Sequence, residues 1–150
     1  MLATQAGRKL RINLRHAPRH AMTTTGLSRI NLHAQRELLD ALKNFYCDVV
    51  GLKIGPRPAF SEFGYWLYAG GNPVVHLYQA RADEERSTTV ATTFDHIAFD
   101  CTNRAAVEAM LVNRGLQFKT THVPGSRQVQ FFLDDPAGNG VELIFADADA

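Results

Sequence analysis

Cysteine is scarce in this chain: Cys47 and Cys101 are the only two among 150 residues. They form no metal-finger spacing and no disulfide framework, so a reducing cytoplasm is the expected location. Long apolar runs are missing too. None approaches the roughly 18 residues of a membrane-spanning helix, and no membrane partner is expected. Nor does one charge dominate. Sixteen Lys and Arg stand against 15 Asp and Glu, which gives no overall bias toward nucleic acid or anionic lipid. A nucleic-acid partner calls for a basic stripe, and past the N-terminal residues there is none. The length fits one domain able to bury a core without staples.

Acidic residues are absent from the first 21 positions, where Arg8, Lys9, Arg11, Arg15 and Arg19 stand and Pro18 interrupts any helix. Residues 1–26 are set apart as a disordered or leader segment. A transit peptide or a basic arm is the functional alternative to an untethered extension ahead of Met22.

From Leu27 the pattern is one unit written twice. Residues 27–34 alternate as a strand. Residues 35–50 carry Leu38, Leu39, Leu42, Phe45, Tyr46 and Val49 at helical spacing, and Gly51 supplies the stop. Strand-like segments follow over 52–55, 65–69 and 74–79, punctuated by Pro56-Arg57-Pro58 and Gly70-Gly71-Asn72-Pro73. The second copy has a strand over 94–101, a helix over 103–114 with Val107, Met110 and Leu111 inward, and strands over 116–121, 128–133 and 141–146. Thr102 or Asn103 is the expected cap of that helix, and Gly115 its end. Residues 81–93 link the halves, with Asp83-Glu84-Glu85-Arg86 read as a solvated turn. Asp134–Asn139 has some look of a calcium loop, but its spacing fails and a hairpin turn explains it. The expectation is a single α+β domain over 27–146, built from βαβββ modules 27–80 and 94–146, with a cupped mixed sheet and helices on its convex side.

Equivalent strand positions of the two halves carry Arg29 and His96, and again His76 and Glu142. The intervals are 47 and 46 residues. Neighbouring side chains on a strand point to opposite sides. One face collects Ile30, Leu32, Val75, Leu77, Ile97, Phe99, Val141 and Leu143. The other collects Arg29, His76, His96 and Glu142 without any change of register. A sheet covered by helices on one side is often simply wet on the other, and each His alone fits that reading. The mixture with Val74, Tyr78, Ala98 and Ile144 suits a concave pocket better. Two imidazoles and a carboxylate are what a divalent cation takes from protein while positions stay open for substrate. Arg29 has no lone pair to donate, and His33 lies about 13 Å along the strand from it.

The duplication resembles the vicinal oxygen chelate superfamily, which includes glyoxalase I, bleomycin-resistance proteins and extradiol dioxygenases. The likeness rests on Val74-Val75-His76-Leu77, Gly140-Val141-Glu142-Leu143-Ile144, Asp95-His96-Ile97-Ala98-Phe99 and the helix end Phe45-Tyr46-Cys47-Asp48-Val49-Val50-Gly51-Leu52. It implies a cup around Fe2+, Mn2+, Ni2+ or Zn2+ held by His76, His96 and Glu142, and a small substrate chelating that metal through vicinal oxygens. Glu142 would double as a proton shuttle. Many family members have His where this chain has Arg29. Three readings of it stand: water or substrate completes the shell, Arg29 binds a substrate carboxylate, or Arg29 pairs with Glu142 and replaces the metal. Tyr78, Arg127 and Gln128 are the further candidate substrate contacts, and a homodimer is expected. The resemblance implies a lyase, isomerase or ring-cleaving dioxygenase. The alternative is a non-catalytic binding protein of the bleomycin-resistance type, with a cup of aromatics such as Tyr65, Trp66 and Tyr78. Phe60, Phe63 and Trp66 are read as either an aromatic lid or a core edge.

Overall fold

The computed structural model describes residues 24–146, so the expected leader falls almost wholly outside them. Strand β1 (Ile30–Ala34) leads into helix α1 (Arg36–Asp48), followed by β2 (Lys53–Gly55), β3 (Gly64–Ala69) and β4 (Asn72–Gln79). The order then repeats as β5 (His96–Cys101), α2 (Arg104–Asn113), β6 (Lys119–His122), β7 (Val129–Asp134) and β8 (Gly140–Phe145). Each module is a four-stranded mixed sheet, ordered β1-β4-β3-β2 or β5-β8-β7-β6. The first strand runs parallel to the last, a pairing that needs a long crossover such as the helix supplies. The α+β fold of paired βαβββ modules is as expected.

The ladders give the repeat its register. Asn31 stands opposite His76, and Ala98 opposite Glu142. Two residues upstream on the same faces are Arg29 and His96. One strand inward, Trp66 stands opposite His76 and Phe132 opposite Glu142.

Helix α1 buries Leu39, Leu42, Phe45 and Tyr46, one stripe at helical spacing. They join Val75, Leu77, Phe131, Val141, Leu143 and Phe145 in a core that spans both modules. Gly51, at φ +88°, ends the helix by taking the left-handed conformation while the Leu52 N–H returns to the Tyr46 carbonyl at 2.9 Å.

Several expectations shift. Leu27 is exposed and the first strand begins only at Ile30. The Leu116 N–H closes back on the Leu111 carbonyl at 3.0 Å, which delays β6 to Lys119. Asn103 occupies the N-cap position of α2 with φ +60°, and its side chain makes no capping bond. An N-cap side chain reaches the first turn from extended backbone, and left-handed backbone removes that reach. Glu84 is not simply solvated: its carboxylate gathers Arg86, the Arg81 N–H and His33. The Asp134–Gly140 connection is a hairpin turn built on Asp135. One Asp135 oxygen accepts the Ala137 and Asn139 N–H groups at 2.9 Å each, and the other accepts the Tyr46 hydroxyl at 3.0 Å.

Candidate functional site

In the second module a buried carboxylate faces a partly covered imidazole. Glu142 is 5% exposed. Its Oε2 lies 2.8 Å from His96 Nε2, and its Oε1 accepts Gln130 Nε2 at 2.5 Å. His96 Nδ1 meets Asp95 Oδ2 at 2.7 Å, and Phe132 sets its ring edge-on to the imidazole at 5.5 Å. The Asp95 carboxylate, reinforced by Glu142, holds the His96 imidazole above its ordinary value against a partial burial that works the other way. A carboxylate on one ring nitrogen is how proteins orient a histidine whose other nitrogen binds a metal, and here Glu142 occupies that other nitrogen.

The first module is built on the same positions with different chemistry. His76 is 2% exposed, and Trp66 stacks on it with ring centroids 4.0 Å apart. Burial, and then the Arg29 guanidinium, hold His76 below its ordinary value, with Arg57 adding to them and a hydrogen bond to the Pro73 carbonyl opposing. Nε2 of His76 has no partner. Tyr78 flanks the pair at 6.4 Å from His76. Arg57 lies over the Phe60 and Tyr78 rings, 5.0 Å and 4.9 Å from their centroids.

The structure thus joins His96 to Glu142 and sets His76 apart. The charged neighbours of His76 are Arg29 and Arg57; those of His96 are Asp95 and Glu142. No three His, Cys, Asp or Glu side chains converge on one metal position among the described residues. Glu142 engages His96 and Gln130 there, not Arg29, which is exposed beside β1. Arg127 and Gln128 sit in the β6–β7 turn, where the Gln128 N–H is held by Ser126 Oγ at 3.1 Å. Gln130, two residues on and on the same face, is the glutamine that reaches the site.

Tyr65 leaves the cup altogether. Adjacent to Trp66 on a strand, it must face the other way, and its hydroxyl donates to Asp40 of α1 at 2.6 Å. Phe63 follows it, edge-on at 5.1 Å, while Phe60 caps Trp66 and Tyr78 on the cup side. His33 pairs with Glu84 at 3.3 Å, and His122 is exposed. Sequence reasoning missed Gln130 and Arg57. The face alternation of β7 pointed to the first; nothing in a Pro-rich turn pointed to the second.

A family model described as the Glyoxalase/Bleomycin resistance protein/Dioxygenase superfamily matches residues 34–143. Glyoxylase I 4 of Arabidopsis thaliana is 32% identical over 115 residues, which are 73% of this chain and 66% of that protein. The chain thus spans 66% of that relative's length. A glyoxylase/bleomycin resistance protein/dioxygenase domain from Frankia sp. EAN1pec superimposes with a TM-score of 0.64 at 16% identity, over 85% of this chain and 96% of that one. Lactoylglutathione lyase from Agrobacterium tumefaciens gives 0.57 at 20% identity, over 81% of this chain and 94% of that one. At such identities the two structural likenesses speak for the fold alone.

Proposed function

The chain belongs to the Glyoxalase/Bleomycin resistance protein/Dioxygenase superfamily, and from that premise we propose that it is a divalent-metal-dependent enzyme acting on a small substrate that chelates the metal through vicinal oxygens. The observation that carries this reading is the buried Glu142 carboxylate on His96 Nε2, with Asp95 fixing the opposite ring nitrogen. His96 and Glu142 would supply an imidazole and a carboxylate to a divalent cation. His76 supports the same reading with a buried, unpartnered Nε2. His76, His96 and Glu142 would hold Fe2+, Mn2+, Ni2+ or Zn2+, leaving positions open for substrate.

Completing the set takes a second copy. β1 and β5 are each an edge strand of their sheet, and edge strands invite pairing. We place the centre across a homodimer, with His76 from one chain and the His96–Glu142 pair from the other. The bound cation would polarise a substrate oxygen or activate dioxygen, chemistry that serves a lyase, an isomerase or a ring-cleaving dioxygenase alike. The protein's part is proton handling. Gln130 holds Oε1 of Glu142, Oε2 pairs with His96 Nε2, and Asp95 keeps His96 oriented, so Glu142 is the carboxylate that would carry a proton. The two free cysteines suit a reducing cytoplasm.

The test is elemental analysis of full-length protein purified without chelator or affinity tag and reconstituted with each of the four metals. Near-stoichiometric metal is expected, falling sharply in His76→Ala, His96→Ala and Glu142→Ala but not in His33→Ala or His122→Ala. Wild-type metal content in all three ligand variants would overturn the reading. A metal-free wild type would leave the rival, a binding cup without catalysis.

A further inference from the structure

Among the described residues, the buried side-chain polar atoms that lack a partner are Arg57 Nε, Trp66 Nε1 and His76 Nε2. All belong to one patch. Trp66 stacks on His76, Phe60 lies 6.3 Å from Trp66 and 6.0 Å from Tyr78, and the Arg57 guanidinium covers both Phe60 and Tyr78. Buried polar groups are nearly always paired, so orphans gathered in one place mark contacts not yet made. Two of these atoms can only donate, since indole and guanidinium carry no acceptor. Arg29 and Arg57 both act on His76, and the exposed Glu62 carboxylate of the same turn acts on Arg57.

We propose that this patch is the subsite for the carboxylate of a small organic acid with a planar body. A carboxylate supplies the acceptor oxygens that Trp66 Nε1–H and Arg57 Nε–H lack. Arg29 adds attraction from the rim. The planar body rests against Phe60, which is 47% exposed beside the cup. His76 Nε2 is left free for the centre described above. Arg57 is prepared for this role. Pro56 and Pro58 stiffen its backbone, its Nη2 donates to the Glu62 carbonyl at 2.6 Å, and the Tyr68 hydroxyl donates to the Pro56 carbonyl at 2.6 Å. The turn holds the guanidinium in place while its Nε stays unengaged.

The inference rests on the reading that the cup takes a small substrate, but not on the metal, and its test separates the two. Trp66 is the only tryptophan in the chain, so its fluorescence reports the subsite directly. Benzoate is titrated into the full-length protein with and without chelator, followed by fluorescence and by calorimetry, with benzamide as the neutral control. Saturable benzoate binding is expected in both conditions, with benzamide and the Arg57→Met variant each weaker by about tenfold or more, the scale of one lost charge-assisted contact. Arg57→Lys keeps the charge without the fork and should fall between; it carries the comparison if Arg57→Met melts early. Trp66→Phe, read by calorimetry, should weaken benzoate while leaving benzamide unchanged. Equal binding of benzamide and benzoate, unchanged affinity in both Arg57 variants, or no saturable response overturns the subsite. Intact benzoate binding with no metal uptake sinks only the metal reading. Normal metal uptake without benzoate binding sinks only this one.

Discussion

Asp95 and Glu142 grip the two nitrogens of one imidazole, and they pull the His96 titration upward from 6.5. The folded chain therefore favours protonated His96. Its contribution to stability is full below pH 6.5 and is lost as pH rises through the raised value. His76 runs the other way. Its pKa is lowered by burial first and then by Arg29, so its contribution is present above 6.5 and is lost as pH falls through the lowered value. Histidine titrations followed by NMR should place the two on opposite sides of the ordinary imidazole, and Asp95→Asn should bring His96 down. An unmoved His96 in that variant would falsify the assignment of Asp95 as its main partner. Arg29 gives a second test at this scale. Arg29→His puts an imidazole where the other module has His96 and removes a cation beside His76, so metal affinity should rise; Arg29→Ala should retain metal and weaken carboxylate-bearing ligands. Titration calorimetry with metal reads both. A metal-free wild type that gains metal only as Arg29→His would sink the enzyme reading.

The hairpin between β7 and β8 shows how an element depends on one buried side chain. Asp135 binds the turn's own N–H groups and the Tyr46 hydroxyl of α1, and burial, then Asp135, raise that phenol well above its ordinary value. Asp135→Ala strands several buried donors at once and should cost about 2–4 kcal/mol, with a smaller loss for Tyr46→Phe. Thermal unfolding checks this, at about 3 °C per kcal/mol for a domain of this size. The elements themselves were readable in the sequence because alternation and helical spacing are local. Ile30 and Leu32, or Val141 and Leu143, declare their face without knowledge of the rest. His76, His96 and Glu142 share the opposite face by the same rule. The rule had more to give than was drawn from it: parity places Tyr65 on α1 and Gln130 beside Glu142. Arg57 was hidden for a different reason. Between two prolines it has no period, and its position over Tyr78 comes from how the turn folds back on β4. Asn103 misled through composition, since Asn suits both a cap and left-handed backbone.

Repetition within a chain fixes which positions correspond but not how the two modules meet, and the separation of His76 from His96 and Glu142 was therefore invisible until the modules were placed. In a dimer whose cup is shared, each centre takes module one from one chain and module two from the other. Mixing then gives an outcome that neither parent variant can. His76→Ala and Glu142→Ala should each bind no metal alone. After unfolding and refolding together, about half of the dimers are mixed, and each mixed dimer rebuilds one undamaged centre from the His76 of one chain and the Glu142 of the other. Metal content should recover to about a quarter of the wild-type value per chain, with sedimentation confirming the dimer. A centre contained within one chain carries a lesion in every copy whatever the pairing, and the refolded mixture would then stay empty.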